Sequence, residues 1–140
     1  MGKHACCASG GESEVTVKWI EKFQFVGTAR EHSVVIDQKV DEGGDNTGFK
    51  PTELLLTSLG GCMGTTILTI AKLQGIEITE LRLDVKVERL CGDVEWKFTV
   101  NVHIDGKLSQ EDKEKLIKAA EETCKISSIL RCACEVRSVF

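Results

Sequence analysis

Pro51-Thr52-Glu53 opens onto residues 54–71, LLLTSLGGCMGTTILTIA, the longest uncharged run of the chain, with Cys62 near its middle. Proline suits a first helical position, where its missing N–H has no intrahelical partner, and Glu53 two places on faces the positive end of the helix dipole. A helix is therefore expected from Pro51 to Gln74, with Gly75 as its stop, roughly 24 residues and about 36 Å long at the standard rise. Leu55, Leu59, Cys62, Thr66, Ile70 and Leu73 share a face at steps of three and four. The other faces are also largely uncharged, so the helix is expected to be central. Gly60 and Gly64 leave one side nearly bare backbone, a seam against which a second helix is expected to pack closely. The run approaches the length of a membrane span, but its threonines, Ser58 and three glycines read better as a buried helix of a soluble protein.

Upstream, Val15, Val17 and Trp19 alternate with Thr16 and Lys18, the period of a strand, and residues 23–28 and 33–39 read as two more. An acidic, glycine-containing loop, Asp41-Glu42-Gly43-Gly44-Asp45-Asn46, separates this antiparallel set from the helix. Downstream, Leu81, Leu83, Val85 and Val87 alternate with charged residues. After Cys91-Gly92-Asp93 the pattern resumes over Val94, Trp96, Phe98, Val100, Val102 and Ile104, a hairpin. Ser109 is a helix N-cap with Asp112 in the reciprocal position, and Leu116, Ala120 and Cys124 line one stripe of the helix that follows. A short apolar piece at 126–130 and a final strand over 133–139 complete the order βββ-α-ββ-α-β, which is α+β with antiparallel sheets.

At 140 residues, 41% apolar and 29% charged, the chain has the size and composition of one globular domain, expected over residues 15–140 after a flexible leader at 1–14. A net charge of −4 with scattered basic residues offers no footprint for nucleic acid or an anionic membrane. The leader MGKHACCASGGESE has no basic segment followed by an apolar one, so a cytoplasmic protein is expected. Seven cysteines in a reducing compartment point to redox chemistry, metal binding or packing. Taken singly, Cys62 and Cys124 read equally as small buried hydrophobes, and Cys132 and Cys134 as packing on the last strand. Those two, with His4, Cys6 and Cys7, are also the thiolate and imidazole set that suits zinc or copper, though no C-x-x-C pair is present.

Gly48-x-x-Pro51-Thr52-Glu53-Leu54-Leu55-Leu56, then Leu59-Gly60-Gly61-Cys62, then Cys124 opening CKISSIL, together resemble the OsmC/Ohr family, in particular its YhfA-like branch. The likeness extends over most of the chain in element order as well as motif. It implies a domain-swapped homodimer in which antiparallel sheets wrap long central helices. It also implies peroxiredoxin-like reduction of organic hydroperoxides, an antioxidant activity, with Cys62 as the attacking thiol and Cys124 as the resolving one. Lipoyl-type dithiols are the implied reductants, and no metal or organic cofactor is needed.

Three positions depart from that pattern. The family's acid lies ten residues before the first cysteine, where this chain has Thr52; Glu53 lies nine before it, roughly opposite Cys62 on a regular helix. Arg30, with His32 beside it in a turn, is the candidate for the family's arginine, and Glu53 for its acid, the alternative for Glu53 being a partner of the helix dipole. The proline that commonly follows the second cysteine is Lys125. Beside the hydroperoxidase stand two alternatives: a dimeric redox sensor or ligand carrier that kept the fold, and a cysteine-based metal-binding module.

Overall fold

The computed structural model describes residues 13–89, 91–92, 94–132 and 134–139. The chain is α+β and divides into two compact units, Met1–Leu55 and Leu56–Phe140, with the division inside the first turns of the long helix.

In the first unit, β1 (Thr16–Glu21), β2 (Gln24–Ala29) and β3 (His32–Ile36) form the expected three-stranded antiparallel sheet. Beyond β3 the chain loops through a single 3₁₀ turn at Val40–Glu42 and returns beside the strand, with Asp37 N–H bonded to Phe49 O at 3.1 Å and Phe49 N–H to Val35 O at 3.2 Å. Gly48 is required at this return, because a Cβ there would lie 2.3 Å from Val35 O. One side chain organises the loop. Asp37 is 1% exposed, and its carboxylate accepts the N–H groups of Gln38, Asp45 and Thr47 and the Thr47 hydroxyl at 2.7 to 3.2 Å. Burial pushes this carboxyl up, but the Thr47, Gln38 and Asp45 donors outweigh it and hold the pKa at about 2.

The helix α1 spans Pro51–Leu73, and Gly75 follows it with φ +69, so the expected start and stop both stand. In the second unit α1 lies against β4 (Ile78–Glu88) and β5 (Lys97–Gly106), a hairpin in which Leu81, Leu83 and Val85 sit opposite Ile104, Val102 and Val100. Then come α2 (Gln110–Thr123), opened by the expected Ser109–Asp112 capping box, and α3 (Lys125–Arg131). Leu59, Met63, Ile67, Ile104, Ala120 and Cys124 form the core, with Cys62, Leu83, Val85, Ile126 and Leu130 packed against it.

Four expectations are corrected. The glycine seam of α1 meets a strand rather than a second helix: a Cβ on Gly60 would lie 3.0 Å from Val85 and one on Gly64 3.3 Å from Leu83. The buried stripe is Leu59, Met63, Ile67 and Ala71, while Leu55 and Leu73 of the expected face are exposed, because the sheet covers α1 from one side. Val94 and Trp96 fall outside β5; the hairpin closes at Glu88 and Lys97, and Arg89 lies over the Trp96 ring at 5.4 Å. The last segment forms no strand over residues 134–139, which pair with no other strand among the described residues and leave Val136 92% exposed, while 126–130 belong to α3.

Two outcomes follow for stability. Gly60→Val is expected to cost about 1–3 kcal/mol by overpacking against Val85. Gly61→Ala, where a Cβ meets nothing within 4 Å, is expected to gain about 0.5–1 kcal/mol from the lower entropy of the unfolded chain. Urea denaturation midpoints of the two variants check this, and a similar loss for both would contradict the seam. Because the folded pKa of Asp37 lies below its ordinary 3.8, the stability it confers is complete above that value and is lost as the pH falls towards about 2. Thermal melts of Asp37→Asn are expected to show a midpoint several degrees lower at neutral pH and a smaller further drop between pH 4 and 2 than the parent protein shows.

Candidate active site

Cys62 projects from the middle of α1 and is half-buried against the core, while its neighbour Gly61 is exposed and has no side chain to obstruct approach. Its own backbone carbonyl accepts the Thr66 hydroxyl at 2.9 Å, a bond within the helix that leaves the sulfur uninvolved.

Cys124 is fully buried and occupies a break in the chain, ending α2 and capping α3 at once. Its N–H closes the last turn of α2 on Ala120 O at 2.8 Å, and its carbonyl accepts the N–H of Ser128 at 3.0 Å to open α3. With φ −59 and ψ 118 it is not helical itself, so the two helices do not merge. Such a break leaves the first amides of the new helix without carbonyl partners. In this protein they serve the two sulfurs: the N–H groups of Ile126 and Lys125 reach Cys62, and those of Ser127 and Ile126 reach Cys124.

The electrostatics of the two thiols consequently diverge. Burial opposes ionisation of Cys62, but the Ile126 amide, the Cys124 thiol, the Lys125 amide and the Lys125 charge together outweigh it and bring the pKa below the ordinary 9.0. Burial pushes the Cys124 thiol up. The Ser127 amide opposes that, yet the hydrogen bond to Cys62 and the negative charge there complete the rise. Of the pair, Cys62 is thus the readier to ionise, and Cys124 holds its proton more firmly and donates to it. A proline at position 125 would have no N–H to give, so the lysine found there contributes a donor as well as a charge.

Glu53, in the first unit, accepts the Lys50 N–H at 2.9 Å and so secures the start of α1, the structural alternative considered for it. Arg30 occupies the turn between β2 and β3 with φ 54, and His32 opens β3 exposed, 3.5 Å from Glu31. Cys91, Cys132 and Cys134 are exposed and unbridged. Of the possible metal set, His4, Cys6 and Cys7 lie outside the described residues, and among the described residues no group of three or more His, Cys, Asp or Glu side chains is arranged to hold an ion. Sequence reasoning missed the amides of residues 125–127. The four-residue spacing of Ile126 and Leu130, with Arg131 at the end, was the available sign of a short helix there.

Comparison with known proteins places this geometry in a family. Among solved structures, an OsmC-like protein from Mycoplasma pneumoniae superposes with a TM-score of 0.78 at 18% identity, over 88% of this chain and 89% of that one. An organic hydroperoxide resistance protein OsmC from Legionella pneumophila gives 0.65 at 20% identity over 88% and 91%. The organic hydroperoxide resistance protein OhrB of Bacillus subtilis gives 0.62 at 25% identity over 86% and 91%. None of the curated proteins compared with the chain matches it. The family model described as OsmC-like protein matches residues 43–139, which include both Cys62 and Cys124, and the chain belongs to that family.

Proposed function

We propose that this protein reduces organic hydroperoxides through a thiol–disulfide cycle of Cys62 and Cys124. The observation that carries the reading is the divergence of the two contacting thiols, Cys62 shifted below the ordinary thiol value and Cys124 above it. Two of the structural neighbours being organic hydroperoxide resistance proteins supports the choice of substrate class.

In this mechanism the Cys62 thiolate attacks one peroxide oxygen, the O–O bond breaks, and the departing alkoxide takes a proton to leave as an alcohol. Cys62 is then a sulfenic acid. Cys124 attacks that sulfur, water leaves with the thiol proton, and a Cys62–Cys124 disulfide results. A dithiol of the lipoyl type returns both cysteines to thiols by exchange. The apolar cluster around Cys62 suits the organic part of the substrate, and resolution by a neighbour already in contact limits further oxidation. Arg30 and Glu53 enter this reading as the chain's candidates for the family's arginine and acid, at positions that depart from the family pattern. A homodimer is part of the same proposal, supported by the apolar side chains that a single chain leaves open: Trp19 is 60% exposed, Val17 56% and Leu68 on α1 49%.

With one equivalent of cumene hydroperoxide, mass spectrometry is expected to find a Cys62–Cys124 disulfide. It should be absent in Cys62→Ser, with turnover falling by at least about a hundredfold. Intact thiols under excess hydroperoxide would sink the reading. The pH dependence of Cys62 alkylation by iodoacetamide is expected to have its midpoint below 9.0, since the reactive thiolate accumulates above a lowered pKa. Cys124→Ala and Lys125→Pro, which each remove a donor to the sulfur, should move that midpoint upward, and Cys124→Ser, which keeps a donor, should move it less.

A further inference from the structure

Lys125 brings more to the two thiols than its amide. It is the first residue of α3, directly after Cys124, and its backbone N–H reaches the Cys62 sulfur. The residue is exposed, and its positive charge is felt at that sulfur. A lysine ammonium is a compact, strongly hydrated charge on a flexible stem, so from this anchor it stays in water and close to the thiol at once.

That charge is uncommitted. On a continuous helix Lys125 would lie one turn beyond Glu121 and pair with it. The break at Cys124 takes Lys125 out of that register, and Arg131 holds Glu121 instead, with Nη2 2.7 Å from Oε1. Among the described residues Lys125 makes no ion pair, whereas Lys22, Lys50, Lys86, Lys107 and Lys115 each have a carboxylate partner. The side chains packed with Cys62 against the core are apolar, among them Val85 on β4 and Ile126 and Leu130 on α3. An apolar wall with a free cation beside it suits a molecule that has an apolar body and an anionic group. The chain as a whole carries a net charge of −4 and does not attract anions, so their selection has to be local.

We propose that Lys125 is a specificity-determining residue that selects carboxylate-bearing organic hydroperoxides, holding the carboxylate on its ammonium while the peroxide meets Cys62. The proposal rests on the hydroperoxide reading of the preceding subsection for the reaction. The selection is a property of this chain, because the proline common at this position in the family pattern carries no charge. It is expressed as the ratio of kcat/KM for an acid to that for its neutral ester. An ion pair in contact with water changes that ratio by a modest factor, about two- to fivefold, and is screened by salt.

Lys125→Met removes the charge and keeps the backbone N–H, and Lys125→Arg keeps both. In the full-length protein, cumene hydroperoxide bearing a para carboxylate is compared with its methyl ester. The acid-to-ester ratio of kcat/KM is expected to fall about two- to fivefold in Lys125→Met and to persist in Lys125→Arg. In the parent protein it should fall as salt is raised. Taking the ratio cancels any change in the thiolate fraction, since both compounds meet the same sulfur. A second ratio needs no peroxide: the rate of Cys62 alkylation by iodoacetate against that by iodoacetamide, read by peptide mapping, is expected to fall by a similar factor in Lys125→Met. Equal acid-to-ester ratios in the parent and in Lys125→Met would overturn the proposal. If neither hydroperoxide is turned over and the alkylation ratio still falls, selection of anions by Lys125 stands and the hydroperoxide reading fails. If the alkylation ratio is then also unchanged, both fail.

Discussion

Unpartnered amides at the start of α3 are the interaction on which the site depends. Cys124 ends one helix and begins the next, and the N–H groups released by that break are shared between its own sulfur and that of Cys62. An apolar setting alone would keep both cysteines protonated, since burial disfavours the thiolate. Directing two amides and the Lys125 charge at one sulfur, and burying the other more completely, separates a symmetric pair into a nucleophile and a proton-bearing partner.

The arrangement needs α1 held at a fixed distance from α3, and the core supplies it. Gly60 and Gly64 let the side chains of Val85 and Leu83 come up to the backbone of α1, while Leu59, Met63 and Ile67 fill the space towards Ile104, Ala120 and Cys124. Cys62 lies between these glycines, so the close approach of the sheet positions the helix that carries the thiol. The first unit secures the other end of that helix: the Asp37-centred loop returns the chain beside β3, and Glu53 bonds the Lys50 amide where α1 begins.

Much of this could be read before the structure, where the determinants are local. Period-two alternation marked the strands at 16–21, 78–88 and 97–106. Pro51 and Gly75 bracketed α1, and Ser109 with Asp112 marked the capping box. What failed was less local. The spacing of Gly60 and Gly64 shows that something comes close without showing what, and β4 took the place assigned to a helix. The apolar pattern near the C-terminus was read as a strand, but a strand needs a ladder partner, and residues 134–139 have none within the described residues. Cys62 and Cys124 were paired only through family resemblance. Their opposite acid–base characters depend in large part on backbone N–H groups, which no residue identity announces, and three of the four groups that make Asp37 a loop anchor are backbone N–H groups as well.

The central claim is that Cys62 is the more acidic thiol and Cys124 the less acidic one, and a pH titration of the cysteine Cβ carbon signals in reduced, ¹³C-labelled protein tests it directly. The account predicts that Cys62 titrates below the ordinary 9.0 and Cys124 above it. Both thiols titrating at or above 9.0, or Cys124 ionising first, would contradict it.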